Sequence, residues 1–255
     1  MSPTVETIER ATIDGVMPQR LEELPGWLLA LDRGEVNRAV SAVPLHHAAH
    51  TAGVLASIVE RYRSLELRPQ FRLADVPGLS ALHSELAASG FEPRLPTYMQ
   101  WIESERIEAH VATGTRESAV SLASAPDEGW SEVFHTVALS HGPPSERAAR
   151  LARATSAAYA TLRVDGVPVA VGALTFARGL ACVHSMRTVE ALRGRGYARR
   201  ILGAMAHAAR QRGVQSLFLQ VEEESAAACA LYAKLGFTTL WRYRYWRQGL
   251  TVQTG

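Results

Sequence analysis

Cysteine is scarce in this chain, and long apolar runs are absent. The 255 residues include two cysteines, Cys182 and Cys229, which form no Cys-x-x-Cys pair and no zinc-type Cys/His spacing. A disulfide framework or a structural zinc site is therefore not expected. No stretch approaches the roughly 18–20 apolar residues of a membrane helix, and residues 1–10 lack the basic and then apolar pattern of a secretory signal. We expect a globular cytoplasmic protein with no membrane partner.

Lysine and excess charge are scarce as well. Lys and Arg together number 27 against 25 Asp and Glu, a formal net charge of +2, and Lys234 is the only lysine. Because nucleic-acid-binding proteins usually concentrate excess basic charge on one face, we expect no nucleic-acid partner. Hydrophobic residues make up 47% of the chain, which is enough for one large packed domain or two smaller ones.

The most informative segment is a glycine-rich turn between a predicted strand and a predicted helix. The strand covers 181–189, the turn is 193–198 (RGRGYA), and apolar residues recur at helical spacing from Ile201 to Ala209. Glycines at a helix N-terminus let a phosphate approach backbone N–H groups that have no acceptor within the helix. An isolated Arg-Gly-Arg-Gly sequence is more often an exposed turn, but this context predicts a pyrophosphate-binding site.

A second group of patterns follows this helix. Residues 217–221 predict a strand, a polar break comes next, and 226–235 predict a helix that ends at Gly236 and Phe237. An aromatic strand is then expected at 238–246.

These two groups together resemble the motifs of the GCN5-related N-acetyltransferase (GNAT) superfamily. The pattern Q/R-x-x-G-x-G/A is met by Arg193, Gly196 and Ala198. The later pattern A-x-x-L-Y-x-K-L-G-F is met by Ala228, Leu231, Tyr232, Lys234, Leu235, Gly236 and Phe237. The resemblance is strong over residues 118–247. It implies an α+β fold of the GNAT acyl-CoA N-acyltransferase type, with a central, mostly antiparallel sheet and flanking helices, and acetyl-CoA as cosubstrate without a metal.

An internal similarity indicates a second, degenerate copy of this fold. Residues 82–91 (LHSELAASGF) and the aromatic strand 98–101 are similar to 231–237 and 241–246. The first copy has no R-x-x-G-x-G motif, and a coincidence of helix, turn and strand is the alternative. We predict two GNAT-like lobes in tandem. They are a degenerate N-terminal lobe at 1–110 and a catalytic domain at 118–255, joined by polar residues 103–117.

The remaining elements are predicted from apolar periodicity and turn residues. In the first lobe these are strands at 26–31 and 38–43, a helix at 45–62, a strand at 70–73, a helix at 79–88 and a strand at 97–102. In the second they are helical residues at 124–137 and 145–153, then antiparallel strands at 157–164, 167–176 and 180–189 with hairpin turns at Gly166 and Gly179.

Acyl transfer to an amine requires that a proton leave the acceptor and another reach the departing thiolate. The resemblance implies that Tyr232 donates the proton to the sulfur, and aromatic packing is its alternative role. Alternation along strand 217–221 puts Glu222 on the face of Phe218 and Gln220, so Glu222 is our candidate base, directly or through water. A solvated acidic loop is the alternative, and His184 is a second candidate base.

The resemblance also implies which residues contact acetyl-CoA. They are Met186, Arg187, Thr188, Arg193, Gly194, Arg195, Gly196, Tyr197, Ala198, Ser225, Ala228 and Tyr232. Ser225 stands where many relatives have asparagine, which weakens the side-chain contact implied there. We therefore predict an N-acetyltransferase, monomer or homodimer, in which the amine of a small molecule attacks acetyl-CoA directly in a ternary complex. A non-catalytic acyl-CoA sensor is the alternative.

Two other clusters of side chains need interpretation. His46, His47 and His50 lie at the start of the predicted helix 45–62, and the i, i+4 spacing of His46 and His50 suits a metal. Without a nearby glutamate motif or cysteine we predict no metal site. The aromatics of 241–246 could stack nucleic-acid bases, but the resemblance favours lining of the acceptor cleft or packing against the first lobe.

Overall fold

The computed structural model describes residues 2–51, 53–111, 120–136 and 156–248. These residues form seven α-helices: α1 Val5–Val16, α2 Val54–Ser64, α3 Ser80–Ala88, α4 Ser104–Val111, α5 Glu128–Thr136, α6 Tyr197–Gln211 and α7 Ala226–Lys234. They form eleven strands: β1 Arg20–Leu24, β2 Trp27–Leu31, β3 Ala42–Pro44, β4 Gln70–Ala74, β5 Phe91–Glu103, β6 Val120–Ala123, β7 Ala157–Val164, β8 Val167–Ala177, β9 Leu180–Thr188, β10 Ser216–Glu222 and β11 Thr238–Gln248. Short 3₁₀ helices lie at Asn37–Ala39, Pro77–Leu79 and Glu190–Leu192. Among the described helices, none has the length and apolar character needed to cross a membrane.

The chain folds into two compact units, each of which consists of segments that are separate in the sequence. The first contains the described residues up to Met99, Val221–Ser225, and the residues from Thr239 onwards. The second contains the described residues of Gln100–Gln220 and Ala226–Thr238. The predicted domain bounds, 1–110 and 118–255, stay a prediction. They treat each domain as one continuous stretch of chain, whereas each unit contains segments from separate parts of the sequence.

In the first unit, neighbouring strands follow the order β1-β2-β3-β4-β11. All these pairs are antiparallel except β3 and β4, which are parallel. β2 is buried along its whole length because α1 packs on one face of it, through Ile13 against Leu28 and Ala30. Tyr62 of α2 donates a 2.8 Å hydrogen bond to the carbonyl of Ala30, which fixes this helix on the sheet.

In the second unit the order is β10-β9-β8-β7-β6, with β9 and β10 parallel and the other pairs antiparallel. Val171 and Ala173 of β8 pack in a cluster with Trp130 of α5, whereas Gly172 between them faces Ile201 of α6. Because side chains alternate along a strand, α5 and α6 cover opposite faces of this sheet. The predicted mixed α+β class with a mostly antiparallel sheet is confirmed.

The three predicted strands of the second lobe and both hairpin turns are confirmed. In the turns, Asp165 and Gly166 have φ of 50° and 80°, and Arg178 and Gly179 have 52° and 74°. Two consecutive positive φ angles are what a type I′ hairpin requires. Within the helical region predicted at 124–137, residues 128–136 form α5 and 124–127 precede it, whereas 137 and 145–153 lie outside the described residues.

The helix predicted at 45–62 is wrong over its first nine residues. α2 begins only after Gly53, which has a φ of +78° and cannot continue a helix backwards. The preceding segment is held by close backbone packing: a Cβ on Gly78 would overlap the carbonyl oxygen of His47.

Two further predictions need correction, and one helix was not predicted. The polar segment 103–117, expected as a linker, contains α4, which packs against α6. The strand at 38–43 is a 3₁₀ turn followed by the short β3. α1 was not expected at all, although Thr4 caps it by accepting a 3.2 Å hydrogen bond from the amide of Thr7.

Candidate functional site

The glycine turn at 193–198 joins β9 to α6 as predicted. Gly194 and Gly196 have φ of +78° and +79°, and Gly196 is the N-cap residue of α6. Residues with a Cβ are strained in this conformation. Within the described part of the chain, no atom lies within 4 Å of a Cβ built at either glycine. The backbone conformation, and not crowding by the protein, therefore requires glycine, and the space in front of the turn is open.

The N-terminus of α6 faces this open space with backbone donors. The helix begins its hydrogen bonding with Arg200 N to Gly196 O at 3.2 Å, and N–H groups before this point have no acceptor inside a helix. Arg193 forms a 3.6 Å ion pair with Glu190, and both side chains are more than half exposed. Because such pairs are weak, little free energy is lost when Arg193 leaves Glu190 and binds an anion instead. The turn and α6 thus form a site suited to a pyrophosphate.

β9 carries a bulge immediately before this turn. Its register with β8 pairs Val171 with Arg187 but Ala173 with His184, so one extra residue lies in β9. Ser185, within the bulge, has a φ of +56°. A bulge leaves ladder groups unpaired and redirects the strand. Met186 lies in the bulge, so its backbone groups are candidates for ligand contacts, whereas Arg187 and Thr188 stay paired with Val171 and Ala170 of β8 and their contacts stay predictions.

Gly172 makes room for this bulge. A Cβ at Gly172 would lie 2.5 Å from Met186 Sδ and 2.6 Å from Met205 Cε. The register of β9 with its parallel neighbour β10 runs from Ala181 and Leu217 to Val183 and Leu219, although both strands continue beyond these residues. The bulge thus lies beyond the last paired residues of β9 and β10.

Tyr232 lies in α7, with 7% of its surface exposed. Its ring packs edge-on against Phe237 at 5.4 Å between centroids. Burial raises the pKa of Tyr232 to about 12, while the nearby positive charge of Arg187 acts in the opposite direction. The phenol therefore keeps its proton at neutral pH, as a proton donor must.

Arg187 is fixed next to the bulge. Its Nη1 donates a 2.8 Å hydrogen bond to the carbonyl oxygen of Met186. Its guanidinium lies over the ring of Phe134 at 5.7 Å from the centroid. The second unit thus brings Arg187 of the bulge close to Tyr232 of α7.

Glu222 and Ser225 lie in the segment that belongs to the first unit, 221–225. Both residues are exposed, and the amide of Ser225 donates a 2.9 Å hydrogen bond to the carbonyl of Glu222. Ala228, in α7, is half-buried. The roles assigned to these residues, and to His184, stay predictions.

Sequence reasoning missed Glu223. Its Oε1 accepts a 2.5 Å hydrogen bond from Tyr98 and its Oε2 accepts two from Arg242, at 2.5 and 3.2 Å. These bonds, with that to Tyr98 the larger influence, lower the pKa of Glu223. Arg242 and Arg244, two apart in β11 and so on one face, were the only signal in the sequence.

The histidine cluster differs from the prediction. His46 and His50 precede α2 instead of lying on it, and their rings stack in parallel with centroids 4.2 Å apart. Across the described ranges, no group of three or more His, Cys, Asp or Glu side chains is arranged to hold a metal ion. Cys182 is buried and Cys229 is partly buried, and neither is in a disulfide.

The aromatic residues of β11 are buried core. Trp241, Tyr243, Tyr245 and Trp246 are each at most 8% exposed. Trp241 contacts His47 edge-on at 4.9 Å between ring centroids. Their packing in the first unit confirms one of the predicted alternatives and leaves no exposed stacking surface on these four rings.

Comparison with known proteins gives a consistent relationship. A family model described as "Probable histone acetyltransferase Rv0428c C-terminal" matches residues 3–246. One stretch is 33% identical over 112 residues to "Probable histone acetyltransferase Rv0428c" of Mycobacterium tuberculosis, covering 44% of this chain and 32% of that protein. Another is 29% identical over 76 residues to "Uncharacterized N-acetyltransferase YobR" of Bacillus subtilis, covering 30% of this chain and 31% of that protein. The matches span about a third of the length of each relative.

Solved structures resemble the whole chain. A "GCN5-related N-acetyltransferase from Kribbella flavida" has a TM-score of 0.73 at 15% identity, covering 97% of this chain and 96% of that one. A "Tandem GNAT protein from the clavulanic acid biosynthesis pathway" has a TM-score of 0.64 at 16% identity, covering 88% of this chain and 78% of that one. At such low identities the likeness shows the fold, and the predicted tandem GNAT fold is confirmed.

Proposed function

Because the chain belongs to the family described as "Probable histone acetyltransferase Rv0428c C-terminal", we propose that it is an N-acetyltransferase that uses acetyl-CoA to acetylate the amine of a small molecule. One observation carries the proposal: the second unit combines the open glycine turn of α6, the bulge in β9 and the buried phenol of Tyr232. The first gives an anion site, the second exposes backbone donors and the third gives a proton donor. An acyl-CoA N-acyltransferase needs all three.

The residues of the turn fit coenzyme A. Both glycines leave open space where a Cβ would stand, so phosphate oxygens can approach the first amides of α6. The helix dipole adds partial positive charge there, and Arg193 and Arg195 supply full charges at an exposed position. Acetyl-CoA, when bound, supplies the activated acetyl carbonyl that the amine attacks. Backbone N–H groups of Met186–Thr188 would hold that carbonyl oxygen, a task that needs no particular side chain.

Tyr232 would give its proton to the departing sulfur. A thiol of pKa about 8.5 leaves more readily when an acid that is still protonated at pH 7 is in reach. Burial keeps this phenol protonated. The charge of Arg187 would favour the phenolate that remains after the transfer.

The acceptor must lose a proton before or during attack. An ammonium of pKa about 10.4 requires roughly 4–5 kcal/mol to become the free amine at pH 7. Glu222, exposed at the end of β10, would accept that proton directly or through a water. His184 is the second candidate.

The first test is coenzyme A binding by calorimetry, followed by thiol release from acetyl-CoA with a panel of small amines. Tyr232→Phe should lower kcat by about 10²–10⁴-fold while the Kd for coenzyme A stays within twofold. Tyr159→Phe is a matched control, since Tyr159 is equally buried in the same unit and packs edge-on against Trp130. It should keep the parental kcat. Absence of coenzyme A binding would refute the proposal.

Two alternatives are separated by the same assays. One relative carries the name of a histone acetyltransferase, so lysine peptides belong in the panel. Turnover with peptides and with no small amine would replace the proposed acceptor class. Tight coenzyme A binding without turnover on any acceptor would favour a sensor.

A further inference from the structure

A polar cluster in the first unit surrounds the residue that follows Glu222. We call it the Glu223 cluster: Tyr98, Glu223, Arg242, Asp75 and Arg244. Tyr98 and Arg242 bind opposite oxygens of the Glu223 carboxylate at 2.5 Å each. The amide of Glu223 also donates a 2.8 Å hydrogen bond to the carbonyl of Pro96. Side chain and backbone of this residue are thus both fixed by β5.

Arg242 is itself oriented by a second carboxylate. Its Nη1 donates to Asp75 Oδ2 at 2.6 Å, and Arg244 Nε donates to the same oxygen at 3.0 Å. The amide of Asp75 returns a 2.7 Å hydrogen bond to the carbonyl of Arg242. Two carboxylates and two guanidiniums balance in charge, and side chains from β5, β11 and the end of β4 hold one another in place.

The cluster is partly shielded from water. The side chains of Asp75, Arg242 and Glu223 are 19%, 31% and 37% exposed. An isolated surface ion pair contributes little, but a charge network with several bonds per group holds a fixed geometry. Because both oxygens of Glu223 already accept hydrogen bonds that keep the carboxylate ionised, this glutamate is not suited to be the base.

The fixed residue lies at a chemically important place in the chain. The segment 221–225 joins β10 to α7; it carries Glu222, and α7 carries Tyr232. Proton transfer requires donor and acceptor within about 2.6–3.2 Å, and a misplacement of 1 Å can reduce a rate by about 10²-fold. The position of this short segment therefore governs the position of Glu222, the candidate base.

We propose that Tyr98, Glu223, Arg242 and Asp75 are positioning residues of the acyl-transfer reaction, which hold the segment 221–225 in the conformation that catalysis requires. The inference rests on the proposed function and deepens it. It gives the N-terminal part of the chain, through Tyr98 and Asp75, a part in the reaction. No residue of the cluster needs to touch the reacting atoms.

The test compares Tyr98→Phe and Arg242→Gln with Arg94→Gln in the full chain. Arg94 lies in β5 like Tyr98, and its ion pair with Glu92 is more than half exposed, so this control should behave as the parent. Tyr98→Phe should lower kcat on the order of 10–100-fold, with the Kd for coenzyme A and the melting temperature almost unchanged. Glu223→Asp should be less active than the parent but more active than Glu223→Ala.

The pH profile separates positioning from mere folding. Arg242→Gln removes the cation that is hydrogen-bonded to Glu223 and leaves two carboxylates with Arg244 alone. The resulting net negative charge favours the ammonium form of an acceptor bound nearby. The ascending limb of kcat, which reports groups in the enzyme–substrate complex, should therefore move to higher pH in Arg242→Gln, but not in Tyr98→Phe. A purely structural role would lower the melting temperature and leave both the limb and the kcat of the folded fraction unchanged.

The outcomes distinguish the two proposals. If the parent shows turnover and both Tyr98→Phe and Arg242→Gln have the parental kcat, the positioning role is overturned and the proposed function stands. Absence of turnover in the parent with every acceptor would overturn the proposed function, and the positioning role with it.

Discussion

Gly196→Ala tests whether the glycine turn binds coenzyme A or only connects two elements. Gly196 is the N-cap of α6 with φ +79° and ψ +6°. Alanine in this left-handed conformation is destabilised by about 1–2 kcal/mol, and for a chain of this size each kcal/mol lowers the melting temperature by about 2–4 °C. Since no atom lies within 4 Å of the new Cβ, no further destabilisation is expected.

The chain contains a close control for this substitution. Gly53 is the N-cap of α2 with φ +78° and ψ −2°, and a Cβ there also meets nothing within 4 Å. Gly53→Ala and Gly196→Ala should therefore lose the same stability, about 1–2 kcal/mol, as measured by urea unfolding. The two positions differ only in what we expect to approach them from solvent.

Coenzyme A binding should separate the two variants. A methyl group in front of the α6 amides removes at least one charge-assisted hydrogen bond, each of which contributes about 1.5–3 kcal/mol. Calorimetry should thus show coenzyme A affinity on the order of 10–100-fold weaker for Gly196→Ala and unchanged for Gly53→Ala. Equal affinities in both variants would refute the assignment of the turn as a phosphate site.

Three further substitutions test packing, burial and pH dependence. Gly172→Ala should displace Met186 in the bulge, because the new Cβ lies 2.5 Å from its sulfur. We expect a stability about 1–3 kcal/mol lower and a lower kcat. Full activity of this variant would contradict the role of the bulge. Glu9→Gln should destabilise the protein by about 3–5 kcal/mol in urea unfolding, because it leaves the charge of Arg72 buried without its anion. Both side chains of this ion pair are at most 3% exposed. A loss of stability below about 1 kcal/mol would mean that the pair is not ionised. Burial lowers the pKa of His47 to about 4, so between pH 6.5 and 4 the unfolded state binds a proton that the folded state does not. Because the ring is partly exposed, stability should fall by about 1 kcal/mol from pH 6.5 to 5. His47→Gln should lose this contribution, and an identical pH dependence in the variant would refute it.

The features that could be predicted from sequence depend on neighbouring residues. The turn at Gly194 and Gly196 and the hairpins at Gly166 and Gly179 follow from glycine's access to positive φ. Each needs only a short window of sequence, so each was found.

The features that were missed depend on distant residues. α2 begins late because Gly78 admits the backbone of His47, thirty-one positions earlier. Glu223 and Glu222 look alike in the sequence, and only the partners Tyr98 and Arg242, 125 and 19 positions away, distinguish them. No local pattern encodes such contacts, and for this reason Glu223 could not be distinguished from its neighbours in the sequence.

The two units also show which part of the glycine turn is fold and which part is chemistry. Each half of the sequence has a helix, a strand, a helix, a Gly-Phe pair and a strand in the same order, as α2-β4-α3-β5 and α6-β10-α7-β11, and the first helix of each half begins at a left-handed glycine. The left-handed cap therefore comes with the fold. What the second unit adds is Arg193 and Arg195 before the cap and a bulge in the strand that leads to it, whereas Gly53 follows His50 and Thr51. An arginine introduced before Gly53 would supply charge but no bulge, so we expect it to create no measurable acetyl-CoA affinity in the first unit. Calorimetry of Thr51→Arg in a Gly196→Ala background would detect such a site, and binding there would show that charge at a left-handed cap is sufficient.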